Sequence, residues 1–160
     1  MEEAGSDDQC WGRRLGLPAG SRGQARRPHL GLVGTSSAIV KFAVVEPESE
    51  ALRAWRDNLD TDDVLMTCEL AVAEVTRAVC RVNGDVEVAL AHLDSLEQFV
   101  MDRDLMLAAG NVAPAGIRTL DVIHLAAALA AGEEFRGLVT YDARMCEAAR
   151  GLGCETLAPG

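Results

Sequence analysis

The stretch LVGTSSAIVKF, residues 32–42, decides the fold. Leu32, Val33 and Gly34 end a short apolar strand, three hydroxyl residues mark a junction, and AIVKF opens a helix with a serine expected at its N-cap. Two later stretches share this layout: RTLDVIHLAAALA, residues 118–130, and GLVTYDARMCEAA, residues 137–149. Each of those puts an aspartate, Asp121 or Asp142, at the entry to its helix, where the first junction carries Thr35. A strand that runs straight into a helix, repeated along the chain, implies crossover connections and a mainly parallel sheet covered on both faces.

Outward from these junctions the alternation continues. EPESEALRAWRDNL (46–59) reads as an amphipathic helix with Pro47 near its start, and DVLMT (63–67) as a strand. CELAVAEVTRAVCRV (68–82) is a long helix stopped by Asn83-Gly84, and DVEVALAHLDSLEQF (85–99) a further amphipathic helix. A short strand is expected near Phe99–Met101 and a short helix near Asp104–Ala109, followed by the breaker-rich loop GNVAPAG. Thr119 is placed to cap the next helix and Gly132 to end it. GLVTY (137–141) then reads as a strand, DARMCEAARGLG (142–153) as a helix, and CETLAP (154–159) as a last strand.

Residues 1–29 hold no periodicity and few core-forming residues, so the expected division is a disordered or non-native extension over 1–29 and one domain over 30–160. With 160 residues, 49% hydrophobic and 4% aromatic, the core must be built from Ala, Val and Leu, which favours α/β layers over a sandwich. The formal net charge of −10 gives no general attraction for nucleic acid; phosphate chemistry would need metal ions or a local arginine patch, and a basic partner protein suits the field better. Five cysteines, an odd number without a C-x-x-C pair, point to free thiols in a reducing cytosol and away from zinc. The N-terminus has no secretory apolar region, and the longest apolar run, VIHLAAALAA, falls short of the ~20 residues of a membrane span, so a cytoplasmic protein without a membrane segment is expected.

Three acids carry the chemistry. Asp142 follows a strand and opens a helix, and Asp121 lies in a first helical turn; taken singly, capping and the helix dipole explain either one. Glu74 sits in LAVAEVTRAV, a helix apolar nearly all round, where a carboxylate is costly unless it is paired with Arg77 or bound to metal. Three acids on separate elements at one end of a parallel sheet suit a hard cation such as Mg²⁺ or Mn²⁺, which takes carboxylate oxygen and fills its shell with water and substrate phosphate. Such a site hydrolyses phosphodiesters by activating water and neutralising phosphate charge.

The stretches TSSAIVKFAVVEPESEALRAW, DVLMTCELAVAEVTRAV, IRTLDVIHLAAALA and LVTYDARMCEAARGLG, in this order, resemble the PIN-domain family, in particular the VapC-type toxins of bacterial toxin–antitoxin pairs. The resemblance runs from about Ser36 to the final LAPG. It implies a three-layer α/β/α PIN-like fold and a Mg²⁺-dependent endoribonuclease. It also implies a cognate VapB-type antitoxin that inserts a peptide near the acids, with pairing as a homodimer and a hetero-oligomer with the antitoxin. Carried over residue by residue, the family's acids fall on Glu74, Asp121 and Asp142, as catalytic and metal-binding residues. Thr140 matches a hydroxyl position near the site and Arg118 could meet phosphate. His124 follows Asp121 in the family's helix motif and reads best as a satisfied core histidine.

The family's first motif ends its opening strand with a metal-binding aspartate. Aligned on SSAIVK, that position is Thr35, and Gly34 replaces the usual apolar residue before it. Two explanations follow: a catalytically impaired domain that keeps its antitoxin surface, or a frame or start-site shift upstream of Ser36. An acidic α/β domain whose carboxylates are only caps is the remaining alternative.

Overall fold

The computed structural model describes residues 30–112 and 116–160; the expected extension over 1–29 and part of the GNVAPAG loop lie outside the described residues. In chain order the elements are β1 (Leu30–Gly34), α1 (Ser36–Ala43), α2 (Ser49–Asp57), β2 (Asp63–Cys68), α3 (Leu70–Arg81), α4 (Val86–Asp94) and β3 (Glu97–Phe99). There follow α5 (Arg103–Gly110), α6 (Thr119–Ala130), a single 3₁₀ turn (Gly132–Glu134), β4 (Phe135–Val139), α7 (Ala143–Gly151) and β5 (Thr156–Leu157). The five strands form one sheet in the order β3-β2-β1-β4-β5, every pairing parallel. This is the α/β/α architecture that the repeated junctions imply.

Alternation along the central strands shows why both faces are covered. Successive residues of a strand point to opposite sides of the sheet. On β1, Leu32 packs with Ala38, Phe42, Leu52 and Val139 on one side, while Val33 packs on the other with Met66, Leu125, Leu138 and Met145. Both residues are buried, and β4 repeats the pattern with Leu138 and Val139. A strand apolar on both sides needs helices on both sides, as parallel sheets do. Here α5, α6 and α7 supply one layer, and α1 to α4 the other.

Leu138 has no exposed surface, lies on β4 against the central strand, and belongs to the larger core cluster. Leu138→Ala is expected to destabilise the domain by about 3 kcal/mol, because the closely packed surroundings cannot collapse into the space left. Denaturant unfolding measures this as a lower midpoint with an unchanged slope.

Several element ends differ from expectation. The first helix is capped by Thr35, not by a serine: the Thr35 carbonyl accepts from Ala38 and Ile39, while its hydroxyl makes no cap bond. Thr119 is the first residue of α6, with Arg118 in the cap position and no side-chain cap. The edge strand lies at Glu97–Phe99, two residues earlier than expected, because its pairing with Met66–Cys68 sets the register and α4 stops at Asp94. The stop after α3 uses Asn83 in the left-handed region (φ 54°), with the Gly84 N–H bonded to Val79 O. β4 begins at Phe135 and ends at Val139, so Thr140 and Tyr141 belong to the turn into α7. Among the described residues no helix is long and apolar enough to cross a membrane.

Candidate active site

The carboxyl ends of β1 and β4 lie side by side, since Gly34 pairs with Val139. The residues just beyond them are stitched by hydroxyls. Thr35 Oγ donates to Thr140 Oγ at 2.9 Å and lies 3.1 Å from Ser37 Oγ, which is itself 3.2 Å from Thr140 Oγ and accepts the Tyr141 N–H at 3.0 Å. Thr67, wholly buried, donates to the Gly34 carbonyl and ties in the end of β2. Thr35 is 3% exposed and Thr140 has no exposure, so these hydroxyls form a neutral, buried cluster at the position of the aspartate that the resemblance implies.

Asp142 begins α7 directly above this cluster. Its Oδ1 accepts the N–H groups of Arg144 at 2.8 Å and Met145 at 3.2 Å, and its own N–H donates to Thr140 Oγ at 3.3 Å. Capping is therefore real, yet it occupies only one of the two carboxylate oxygens among the described residues. Asp121 stands in the first turn of α6 and makes no side-chain hydrogen bond among the described residues. Burial raises its carboxyl above the usual range, and repulsion by Asp142 and, less strongly, Glu74 adds to this, against the opposing fields of Arg118 and His124. Negative field from the other two acids thus adds to burial in disfavouring the charge on Asp121.

Glu74 is placed differently. Its Oε2 accepts from Ser36 Oγ at 2.5 Å and from His124 Nε2 at 2.8 Å, and the alternative of a pair with Arg77 is not found among the described residues. Partial burial works against its charge, but the bonds from His124 and Ser36 outweigh that and hold its carboxyl below the usual range. His124 is 3% exposed and its other ring nitrogen lies 3.6 Å from Cys68 Sγ, so it is the satisfied core histidine that the sequence suggested, with the acid site as one of its partners.

Burial opposes the charged form of His124, yet its contacts with Cys68 and Glu74 prevail and lift it to about 9. The stabilisation from a raised histidine is fully present below its unfolded value near 6.5 and is lost as pH climbs through about 9. Glu74, lowered, contributes above its ordinary 4.5 and loses that contribution only in more acidic solution. The metal-free protein is expected to lose on the order of 2 kcal/mol of stability between pH 6.5 and 9.5, beyond what His124→Gln loses. Melting temperatures of both proteins across that range measure it.

Thr140 is fully buried, with its hydroxyl engaged by Thr35, Ser37 and the Asp142 N–H. Arg118 is exposed at the start of α6, and its charge reaches Asp121. Ser36 and Ser37 were legible only as a helix start. Nothing local distinguishes a capping serine from one that reaches another helix.

Among the described residues no three His, Cys, Asp or Glu side chains are arranged to hold one ion as they stand. The carboxylate oxygens that accept no hydrogen bond among the described residues are both of Asp121, Oδ2 of Asp142 and Oε1 of Glu74, hard donors on α6, at the start of α7 and on α3. They fit a hard divalent cation that keeps most of its shell as water, better than a closed all-protein cage.

A family model described as PIN domain matches residues 36–151, beginning at the residue after Thr35. Ribonuclease VapC46 of Mycobacterium tuberculosis is 44% identical over 128 residues, covering 78% of this chain and 94% of that protein. Ribonuclease VapC35 of the same species is 39% identical over 131 residues, with the same two shares of 78% and 94%. The crystal structure of Mycobacterium tuberculosis VapC20, a sarcin–ricin loop cleaving toxin, shares the fold at a TM-score of 0.64 and 14% identity, over 80% of this chain and 99% of that one.

Proposed function

This chain belongs to the PIN-domain family, among the VapC ribonucleases, and from that membership we propose that it is a Mg²⁺-dependent endoribonuclease, the toxin of a VapBC-type pair. Mn²⁺ serves the same donors. Its partners are then RNA, as substrate, and a VapB-type antitoxin whose basic residues suit the acidic edge, with homodimer formation as the resemblance implies. The single observation that carries the reading is that Asp121 accepts no hydrogen bond and Asp142 commits only Oδ1 to its cap among the described residues, while burial and the fields of Asp142 and Glu74 disfavour the charge on Asp121. A structural cap gains nothing from such strain; a cation relieves it.

A bound divalent ion supplies charge neutralisation at the scissile phosphate and acidifies a water. Asp121 and Asp142 would hold and orient it through their open oxygens. Asp142 keeps its direction because α7 grips Oδ1. Glu74 would serve as an anionic acceptor for a proton of the attacking water, and Arg118, exposed at the start of α6, would meet a neighbouring phosphate. No side-chain nucleophile is required.

Thr35 favours a second reading, in which the domain retains the antitoxin surface with reduced catalysis, since the hydroxyl cluster brings no charge to the site. The test is cleavage of RNA by the full chain with Mg²⁺, with Mn²⁺ and with both removed by chelation, against Asp121→Asn. Cleavage that needs the ion and needs Asp121 supports the nuclease. A folded chain that binds antitoxin but cuts nothing under any metal supports the second reading.

A further inference from the structure

Glu74 is anchored through one of its two oxygens. Ser36 Oγ and His124 Nε2 both reach Oε2 and lie 3.4 Å from each other, so the three groups close a small ring joining α1, α3 and α6. Cys68 Sγ, at the end of β2 and wholly buried, backs the far side of the imidazole. Oε1 accepts no hydrogen bond among the described residues, and the Glu74 side chain is 27% exposed. A free glutamate on a helix samples many rotamers, and fixing it costs about 1.5–2 kcal/mol. Here two donors from other helices have already fixed it.

We propose that Ser36 and His124 are positioning residues that turn Oε2 of Glu74 into the protein and present Oε1 alone to the water shell of the ion. Glu74 then acts as a one-oxygen acceptor for a metal-bound water and does not chelate the ion. This rests on the nuclease reading. The bland alternative is that the ring only pins three helices together, in which case its loss lowers stability and leaves metal affinity alone. The ring does pin helices, and the distinguishing feature is the direction it imposes on a carboxylate bonded to His124, one turn along α6 from Asp121.

The test uses the full chain with Ser36→Ala, His124→Leu and His124→Gln, the last keeping an N–H donor near the position of Nε2. Three quantities are read: the melting temperature without metal, the Mg²⁺ or Mn²⁺ concentration giving half the metal-induced rise in that temperature, and the separate kcat and KM for RNA. Ser36→Ala and His124→Leu are expected to raise the half-maximal metal concentration about tenfold, the range known for residues that orient ligands, and to lower kcat with KM unchanged. His124→Gln is expected to recover most of the loss. Ser36→Ala removes one half-buried hydroxyl without disturbing the helix, so it serves on its own if His124→Leu does not fold. Unchanged metal midpoints in folded Ser36→Ala, or His124→Gln as impaired as His124→Leu, would overturn the positioning role while leaving the nuclease intact. If the unsubstituted chain neither responds to metal nor cuts RNA, the nuclease reading fails and the ring loses its catalytic meaning with it.

Discussion

Asp121→Asn is expected to lower RNA cleavage about 10³-fold and, at the same time, to raise the melting temperature of the metal-free protein. On the proposed nuclease reading, the first effect follows from removing an anionic oxygen ligand, which forfeits several kcal/mol of charge stabilisation at the phosphate. The second follows from the sign of the Asp121 shift. Its carboxyl is raised above 3.8 by burial and by its acidic neighbours, so the folded state holds the proton more tightly than the unfolded chain. The charged form therefore weakens the fold at neutral pH, and this weakness disappears as pH falls below the ordinary aspartate value. Asparagine removes the charge with little change in shape. Because Asp121 is only partly buried, the gain is modest, below about 1 kcal/mol after screening. Calorimetry in chelator beside a cleavage assay measures both. A lower melting temperature with cleavage retained would make Asp121 an ordinary first-turn acid stabilising its helix.

Thr35→Asp is expected to move both properties the other way. Thr35 is 3% exposed, and its hydroxyl bond to Thr140 would be replaced by a carboxylate facing the hydroxyls of Ser37 and Thr140. Without metal, another buried charge near Asp142 costs about 1–3 kcal/mol. With metal, an additional anionic ligand should lower the half-maximal Mg²⁺ concentration at least about tenfold and raise cleavage by a similar factor or more. The metal-induced rise in melting temperature should therefore be larger than in the unsubstituted chain, starting from a lower base. An active Thr35→Asp beside an inert unsubstituted chain assigns the loss of activity to this one position. Equal activity in both means that Asp121, Asp142 and Glu74 suffice.

What could be read from the chain and what could not divide by the range of the interaction. The strand-to-helix junctions at Thr35 and Asp142 are local, and their hydrophobic alternation carries the parallel sheet directly. Glu74 was exposed as anomalous by its apolar helix alone. Its partners were not legible, because Ser36 lies 38 and His124 50 residues away and neither carries a mark of the pairing. Arg77, one turn along, was the local alternative and loses to a buried histidine. The hydroxyl bond between Thr35 and Thr140 spans 105 residues and is equally silent in sequence. The misplaced edge strand has the same cause: Gln98 and Phe99 join the sheet because Thr67 and Cys68 present an unpaired edge, a fact of packing and not of propensity.

The strand order β3-β2-β1-β4-β5 also sets a timetable. β1 is the first of the described elements to be synthesised and the strand at the centre of the sheet, yet one of its two neighbours, β4, ends at Val139. Synthesis runs from the N-terminus, and long-range parallel pairings are slow to close. Ser36, Glu74, Asp121 and Asp142 can share one edge only after α7 has emerged to fix the last of them. A growing chain, or one broken off before that point, carries the acids without the edge that gathers them. The acidic edge is thus assembled late, with only α7 and β5 following the last of its acids along the chain.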